Sequence, residues 1–325
     1  MNSFVPAIVA LLLIIVLGPR PKLIARRPEV EVPVDLSLTE LADWLAKKEA
    51  SVSGLVDGAE ACIQFADPAA PAKTPLCFVY IHGFSATRPE TAPVTEHLAA
   101  RFSANVLQAR LAGHGMGSDD MVAPAEEWLE SMAETLEIAL QLGDKLVIVA
   151  TSTGAPLSVW LASRPGVADK LRAMLFMSPN FKIRSRLDFL LTAPWSRHWI
   201  HWIIGRHREW EPVNEAQAKY WTWRYSTLAL IEMQKVVDWA THQKFENFTV
   251  PLAIMYMKND PTIDPEAAIA AFKRWGTANK VLIPVTVDGD KPDHVFAGDI
   301  VGPHRTDWCV AQFAEFLKSL PSDRH

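Results

Sequence analysis

Three cysteines in 325 residues, Cys62, Cys77 and Cys309, form no Cys-x-x-Cys pair and are odd in number. That leaves no basis for a disulfide framework or a cysteine-bound zinc; Cys62 and Cys77 fall in strand-like runs and read as small core residues. There is also no excess of positive charge. Lys and Arg total 32 against 37 Asp and Glu, a net charge of −5, which removes any general electrostatic case for nucleic-acid binding. No internal repeat or long low-complexity segment is present. Nor is there a full-length apolar span: "FVPAIVALLLIIVLG" (Phe4 to Gly18) stops at 15 residues, short of the roughly 20 that cross a bilayer as a helix.

That short run still needs a reading. No Lys or Arg precedes it and no cleavage motif of small residues follows, so it departs from a secretory signal. Arg20, Lys22, Arg26 and Arg27 come just after it. The positive-inside tendency then predicts a membrane anchor at residues 4–18, with the body of the protein on the cytoplasmic side. A cleaved export signal, giving an exported or periplasmic protein, is the alternative, and a buried helix the third reading.

What is present is apolar bulk and a rhythm. Hydrophobic residues make up 49% and charged residues 21%, enough for a sizeable core. Residues 1–19 form the hydrophobic segment, and 20–58 a Pro-rich linker followed by an amphipathic helix with Ser37 and Glu40 spaced as a capping box. From residue 59, strand-like and helix-like stretches alternate. "LCFVYI", "KLVIVA", "LRAMLFMSP", "PLAIMYM" and "KVLIPVTV" are continuous apolar runs of the kind buried on both faces, and "PAEEWLESMAETLEIALQLG" has helical periodicity. The alternation predicts an α/β fold with a mostly parallel central sheet flanked by helices, its core divided into 59–180 and 250–325. Between them, residues 181–249 show no strand and carry seven of the twelve tryptophans, predicting a helical cap inserted above the sheet.

Chemistry in such a sheet gathers beyond the carboxyl ends of the strands. Ser152 stands there, in Ala150-Thr151-Ser152-Thr153-Gly154. It reads either as a turn serine capping the next helix or as a nucleophile on a tight strand-to-helix elbow, where the pattern is G-x-S-x-G and the first glycine is here alanine. A serine nucleophile requires a histidine base and a carboxylate to orient it. Asp260 follows the strand "PLAIMYM" and His294 the strand "KVLIPVTV", in the order serine, acid, histidine. Asp264, before Pro265, reads better as a helix N-cap; Asp288, Asp290 and Asp293 as loop carboxylates; His304 as the weaker base. Acyl transfer also needs backbone donors for an oxyanion. The Thr153 N–H is one; the "HGF" loop supplies the other through Phe84, with Ser85 as fallback and His82 a structural residue.

"HGF", "ATSTG", "KND" and "DHVF", with "RLAGHGMGSDD", together resemble the α/β-hydrolase superfamily, in the serine esterase and lipase type that includes monoacylglycerol lipases and carboxylesterases. The resemblance covers about residues 60–320. It implies Ser152 as nucleophile, Asp260 as acid, His294 as base, and Phe84 and Thr153 as the oxyanion hole, with no cofactor and no metal. His114 then fixes its loop. Haloalkane dehalogenases and epoxide hydrolases share the architecture but place Asp at the elbow, so serine implies ester, thioester or amide cleavage. An acyl ester, including a lipid such as a monoacylglycerol, is the expected substrate. An amidase, peptidase or acyltransferase, or a non-catalytic binding protein, is the alternative. His198, His201 and His207 lack the supporting carboxylates or cysteines of a metal site.

Trp195, Trp199 and Trp202 fall at i, i+4 and i+7 and would share one helical face. They pack between cap and core, or, with Lys182, Arg184, Arg186, Arg197, Arg206 and Arg208 nearby, meet a membrane interface beside an acyl pocket. With Ser85 they are the expected substrate contacts.

Overall fold

The computed structural model describes residues 17–117, 121, 123–286 and 292–321. Most of the 4–18 run therefore lies outside the described residues, as do Asp288 and Asp290. Among the described residues no helix is long and apolar enough to cross a membrane.

Nine strands form among the described residues: β1 (Cys62–Gln64), β2 (Thr74–Ile81), β3 (Asn105–Gln108), β4 (Gly143–Thr151), β5 (Leu171–Met177), β6 (His207–Glu209), β7 (Arg224–Ser226), β8 (Leu252–Tyr256) and β9 (Lys280–Pro284). Seven make one sheet in the order β1-β3-β2-β4-β5-β8-β9, parallel throughout except for β1 at the edge. The chain order reverses across β2 and β4, which makes the carboxyl ends of the central strands the place where a crevice opens.

The helices are α1 (Leu38–Ala50), α2 (Val94–Ala100), α3 (Ala125–Leu142), α4 (Gly154–Ala162), α5 (Ser196–Ile204), α6 (Glu215–Tyr220), α7 (Thr227–Thr241), α8 (Pro265–Arg274) and α9 (Pro303–Ser319). Continuous apolar strands arise because helices cover both faces. Cys77, Val79 and Ile81 of β2 enter the core shared with α1, α3, α4, α7 and α8, while Phe78 and Tyr80 enter the core shared with α2 and α9. Each fully buried Leu or Phe stabilises the fold by about 1.5–3 kcal/mol.

Local signals are realised in several places. Ser37 and Glu40 complete the capping box of α1, and Asp264 caps α8 ahead of Pro265. Gly143, the last residue of the helical run, caps the C-terminus of α3 and also begins β4. A methyl group there would stand 2.5 Å from the Cys77 amide nitrogen, so the strand needs glycine to approach β2. The linker after residue 19 is not free. Its Ile24 N–H donates to Glu126 at 2.9 Å, its Pro33 carbonyl accepts from Gln141, and Leu23, Val30 and Val32 pack on the main core.

The 181–249 segment departs from expectation in two ways. It contains strands after all: β6 and β7 pair antiparallel, Arg208 opposite Tyr225. Three-residue strands rich in His, Arg and Glu carry too little alternation to be read. Its last helix, α7, is not part of a detached unit, because Met233, Val236, Val237 and Ala240 belong to the main core beneath.

Candidate active site

The turn between β4 and α4 is strained in the way a nucleophile elbow requires. Ser152 has φ 51°, in the left-handed region that costs a non-glycine residue about 1–3 kcal/mol. Hydrogen bonds hold it there. The Ser152 N–H donates to the Met177 carbonyl at 3.0 Å, and the Ser152 carbonyl accepts from the N–H groups of Asn180 at 3.0 Å and Ala155 at 3.1 Å. Gly154 is indispensable to the turn, since a methyl there would lie 2.3 Å from the Ile81 carbonyl oxygen. Ala150, where glycine is usual, has room for its methyl inside the main core.

Three side chains distant in sequence meet at this turn. The Ser152 hydroxyl donates to His294 Nε2 at 2.8 Å, and His294 Nδ1 lies 2.8 Å from Asp260 Oδ2. An ionised Asp260 only accepts, which places the ring proton on Nδ1 and leaves Nε2 as the acceptor facing the serine. Asp260 is fully buried. Its Oδ1 accepts from the N–H groups of Thr262 at 2.8 Å and Ile263 at 3.0 Å. Burial pushes its pKa up, but the hydrogen bond and charge of His294, with those two N–H groups, outweigh it and hold the carboxyl below its usual range. Arg184 donates to the Asp260 backbone carbonyl. Of the rival groups, Asp293 lies on the wall beside His294, Asp264 serves its helix, and His304 sits in the first turn of α9.

The "HGF" loop lies against the serine. A methyl on Gly83 would stand 3.0 Å from Ser152 Cβ. Among the described residues, no hydrogen-bond partner takes the N–H of Phe84 or of Thr153. His82 is structural, as expected: its Nε2 accepts from the Leu111 N–H at 3.1 Å and its Nδ1 faces the Gly83 carbonyl at 2.8 Å. Burial, with His114 nearby, keeps its pKa far below the ordinary value, so it is neutral. His114 faces the Ala112 carbonyl at 3.1 Å, and burial pushes it down to about 4.

A cavity of about 660 Å³ opens on Ser152 and His294. Phe84, Ser85, Ile183, Leu190, Leu191, Ile200, Ile204, Trp210, Trp221, Tyr225 and Met233 make its wall mostly apolar. Ser85 is therefore where a substrate contact was expected, and its carbonyl also accepts from the Thr222 N–H at 2.7 Å. Trp195, Trp199 and Trp202 are not on the cavity wall, and this corrects their reading as substrate contacts. Trp195 precedes α5 at φ 60° and its N–H donates to the Pro19 carbonyl at 2.9 Å. The Trp199 indole donates to the Pro194 carbonyl at 2.9 Å and packs with Leu191, Ile200 and Ile231. Trp202 is 78% exposed. α5 turns Ile200 and Ile204, spaced i and i+4, toward the cavity, which rotates Trp202 to the outside.

Sequence reasoning also missed Glu90. Its side chain is 2% exposed, lines the same cavity, and accepts from the Gly83 N–H at 2.7 Å and the Tyr80 hydroxyl at 2.9 Å. Burial pushes its carboxyl up to about 7, against the opposing pull of Gly83, Tyr80 and His294. Glu90 carries no motif; only the fold brings it beneath the loop. Among the described residues, no group of three or more His, Cys, Asp or Glu side chains is placed to hold a metal ion.

Known proteins agree with this geometry at the level of fold. Among solved structures, the chain is similar to that of the metagenome-derived lipolytic enzymes LipS and LipT, at TM-score 0.65 and 15% identity over 82% of this chain and 100% of that one. It is also similar to a monoacylglycerol lipase from Paleococcus ferrophilus, at TM-score 0.58 and 15% identity over 80% and 98% of the two chains. A soluble variant of the Saccharomyces cerevisiae monoglyceride lipase matches at TM-score 0.58 and 12% identity, over 80% of this chain and 92% of that one. No curated protein matches the sequence. A family model described as "Alpha/beta hydrolase family" matches residues 78–298, from β2 to just beyond His294, and the chain belongs to that family.

Proposed function

We propose that this protein is a serine hydrolase that cleaves carboxylic esters with an apolar acyl part, through an acyl-enzyme on Ser152. The observation that carries the reading is the hydrogen-bonded chain from Ser152 through His294 to Asp260, opening on a largely apolar cavity. His294 takes the hydroxyl proton as Ser152 Oγ attacks the ester carbonyl carbon. Asp260 remains ionised and stabilises the imidazolium. The N–H groups of Phe84 and Thr153 receive the negative charge on the carbonyl oxygen. Collapse of the tetrahedral species breaks the bond to the alcohol, which leaves with the proton from His294. Water then repeats the cycle on the acyl-enzyme, losing its proton to His294 and releasing the acid and free Ser152.

The apolar wall favours an acyl chain over a sugar or a charged peptide. A series of neutral esters of increasing acyl length, set against an amide of matched size, tests this. Rates that rise with acyl length and exceed that of the amide support the reading; amide turnover above that of every ester contradicts it.

Membrane association is part of the same proposal. Leu187, Phe189, Trp202, Ile203 and Val213 are exposed on the 181–249 segment, two of them at 72% or more. Arg184, Arg186, Arg206 and Arg208 are exposed on the same segment. Apolar side chains among basic ones suit the interface of an anionic bilayer. The hydrogen bond from Trp195 to Pro19 brings the end of the N-terminal apolar run to the start of α5. A cytoplasmic-facing catalytic body, anchored by residues 4–18, follows from the positive charges after that run. Flotation with vesicles, comparing the full chain with Trp202→Ala and with a chain lacking residues 1–18, measures each contribution.

A further inference from the structure

Glu90 is a buried carboxyl that the serine, histidine and aspartate chemistry does not use. Its position ties three parts of the site together. Oε2 accepts from the Gly83 N–H at 2.7 Å, in the loop that presents the Phe84 N–H. The same oxygen accepts from the Tyr80 hydroxyl at 2.9 Å, and that hydroxyl lies 3.2 Å from Thr151 Oγ1, in the residue before Ser152. Oε1 faces the same spot as the nucleophile: a methyl on Gly83 would stand 2.8 Å from Oε1 and 3.0 Å from Ser152 Cβ. The backbone beside Glu90 is joined to the histidine loop, since the Asp299 N–H donates to the Ala92 carbonyl at 2.8 Å.

The charge state of this carboxyl matters more than its hydrogen bonds alone. The charged and titratable groups facing it are the Tyr80 hydroxyl from β2 and His294 from the loop after β9. His82, on the loop itself, turns its ring toward Leu111 and is neutral. Among the described residues no lysine or arginine pairs with Glu90. An ionised Glu90 would place an uncompensated, desolvated negative charge beside the carbonyl oxygen that itself becomes negative in acyl transfer, where low dielectric magnifies the repulsion. A neutral Glu90 keeps its acceptor for the Gly83 N–H without that penalty.

We propose that Glu90 is a positioning residue: as the neutral acid it holds the Gly83 turn so that the Phe84 N–H faces the reacting carbonyl, and its ionisation switches the site off. This rests on the serine-hydrolase reading above. Burial pushes the Glu90 pKa up to about 7, which puts the switch near neutral pH.

The test is the pH profile of kcat/KM for the full chain on a short neutral ester, with product measured by chromatography. The wild type should fall on the alkaline side as Glu90 ionises near its value of about 7. Glu90→Gln retains an oxygen acceptor but has no proton to lose, so the alkaline limb should vanish. Glu90→Ala leaves the Gly83 N–H unpaired and should lower kcat about tenfold with little change in KM. Near-UV circular dichroism and chemical denaturation establish that each variant is folded. An alkaline limb unchanged in Glu90→Gln overturns the proposal, as does a folded Glu90→Ala with wild-type kcat. If the wild type neither labels nor hydrolyses esters, the serine-hydrolase reading itself fails and takes this proposal with it.

Discussion

At the rim of the sheet, each site residue follows a strand whose neighbours are fixed by ladder hydrogen bonds. In the 181–249 segment, the short helix α5 is held largely by side-chain packing, and its rotation decides which of its residues meet the cavity. Ser152 and Asp260 lie just beyond β4 and β8, His294 lies farther along the chain after β9, and the sheet order brings the ends of these strands to one side. Trp199 and Trp202 sit on a nine-residue helix whose inward face is instead Ile200 and Ile204. Backbone register transmits position over long sequence distances; a pattern of large side chains on a short helix does not.

The contrast can be broken or sharpened experimentally. The largest effects belong to the rim. Ser152→Ala should lower esterase kcat by about ten-thousand-fold or more while leaving the fold intact, checked by turnover with circular dichroism. Asp260→Asn, which removes the charge that fixes the His294 tautomer, should cost about ten-thousandfold in kcat. Gly154→Ala acts on the scaffold instead. Its methyl must displace the Ile81 carbonyl, 2.3 Å away, and chemical denaturation should show a loss of about 1–3 kcal/mol.

Effects in the insertion should be smaller and of another kind. Ile200→Trp fills part of the cavity and should shift the acyl-length optimum to shorter esters, whereas Trp202→Ala should leave that optimum unchanged in vesicle-free assays. A length optimum that moved with Trp202 and not with Ile200 would reverse the contrast.

Smallest is the pH slope of stability from Glu90. Its ordinary value is 4.5 and burial raises it to about 7 in the folded chain. Between those values the folded chain holds a proton that the unfolded chain has lost, so stability falls as pH rises through that window and levels above it. Glu90→Gln should remove this component of the slope in thermal melts taken from pH 4 to 8.

The same division governs how much could be read from the chain. The apolar runs of β2, β4, β5 and β8, the capping box of α1 and the Asp264 cap of α8 were visible because each signal is local. Ser152, His294 and Asp260 were visible because the order of strands constrains where partners stand. Gly154 was visible as the second glycine of the elbow pattern, and the nearby Ile81 carbonyl is what requires it. By contrast, β6 and β7 are too short to show a period, and α7 reads as part of the insertion although its apolar face joins the main core. Glu90 was invisible for a further reason. Its burial comes from tertiary enclosure by Tyr80, Gly83 and the loop after His294, and nothing in "TRPET" distinguishes it from a solvated turn carboxylate.

Peptide mapping of a fluorophosphonate adduct, formed on the intact full-length chain, most directly examines whether these distant side chains act as one proton relay. A single adduct on Ser152, formed far more slowly in His294→Ala, is the predicted result. An adduct on another residue, or labelling of Ser152 at an unchanged rate without His294, would contradict it.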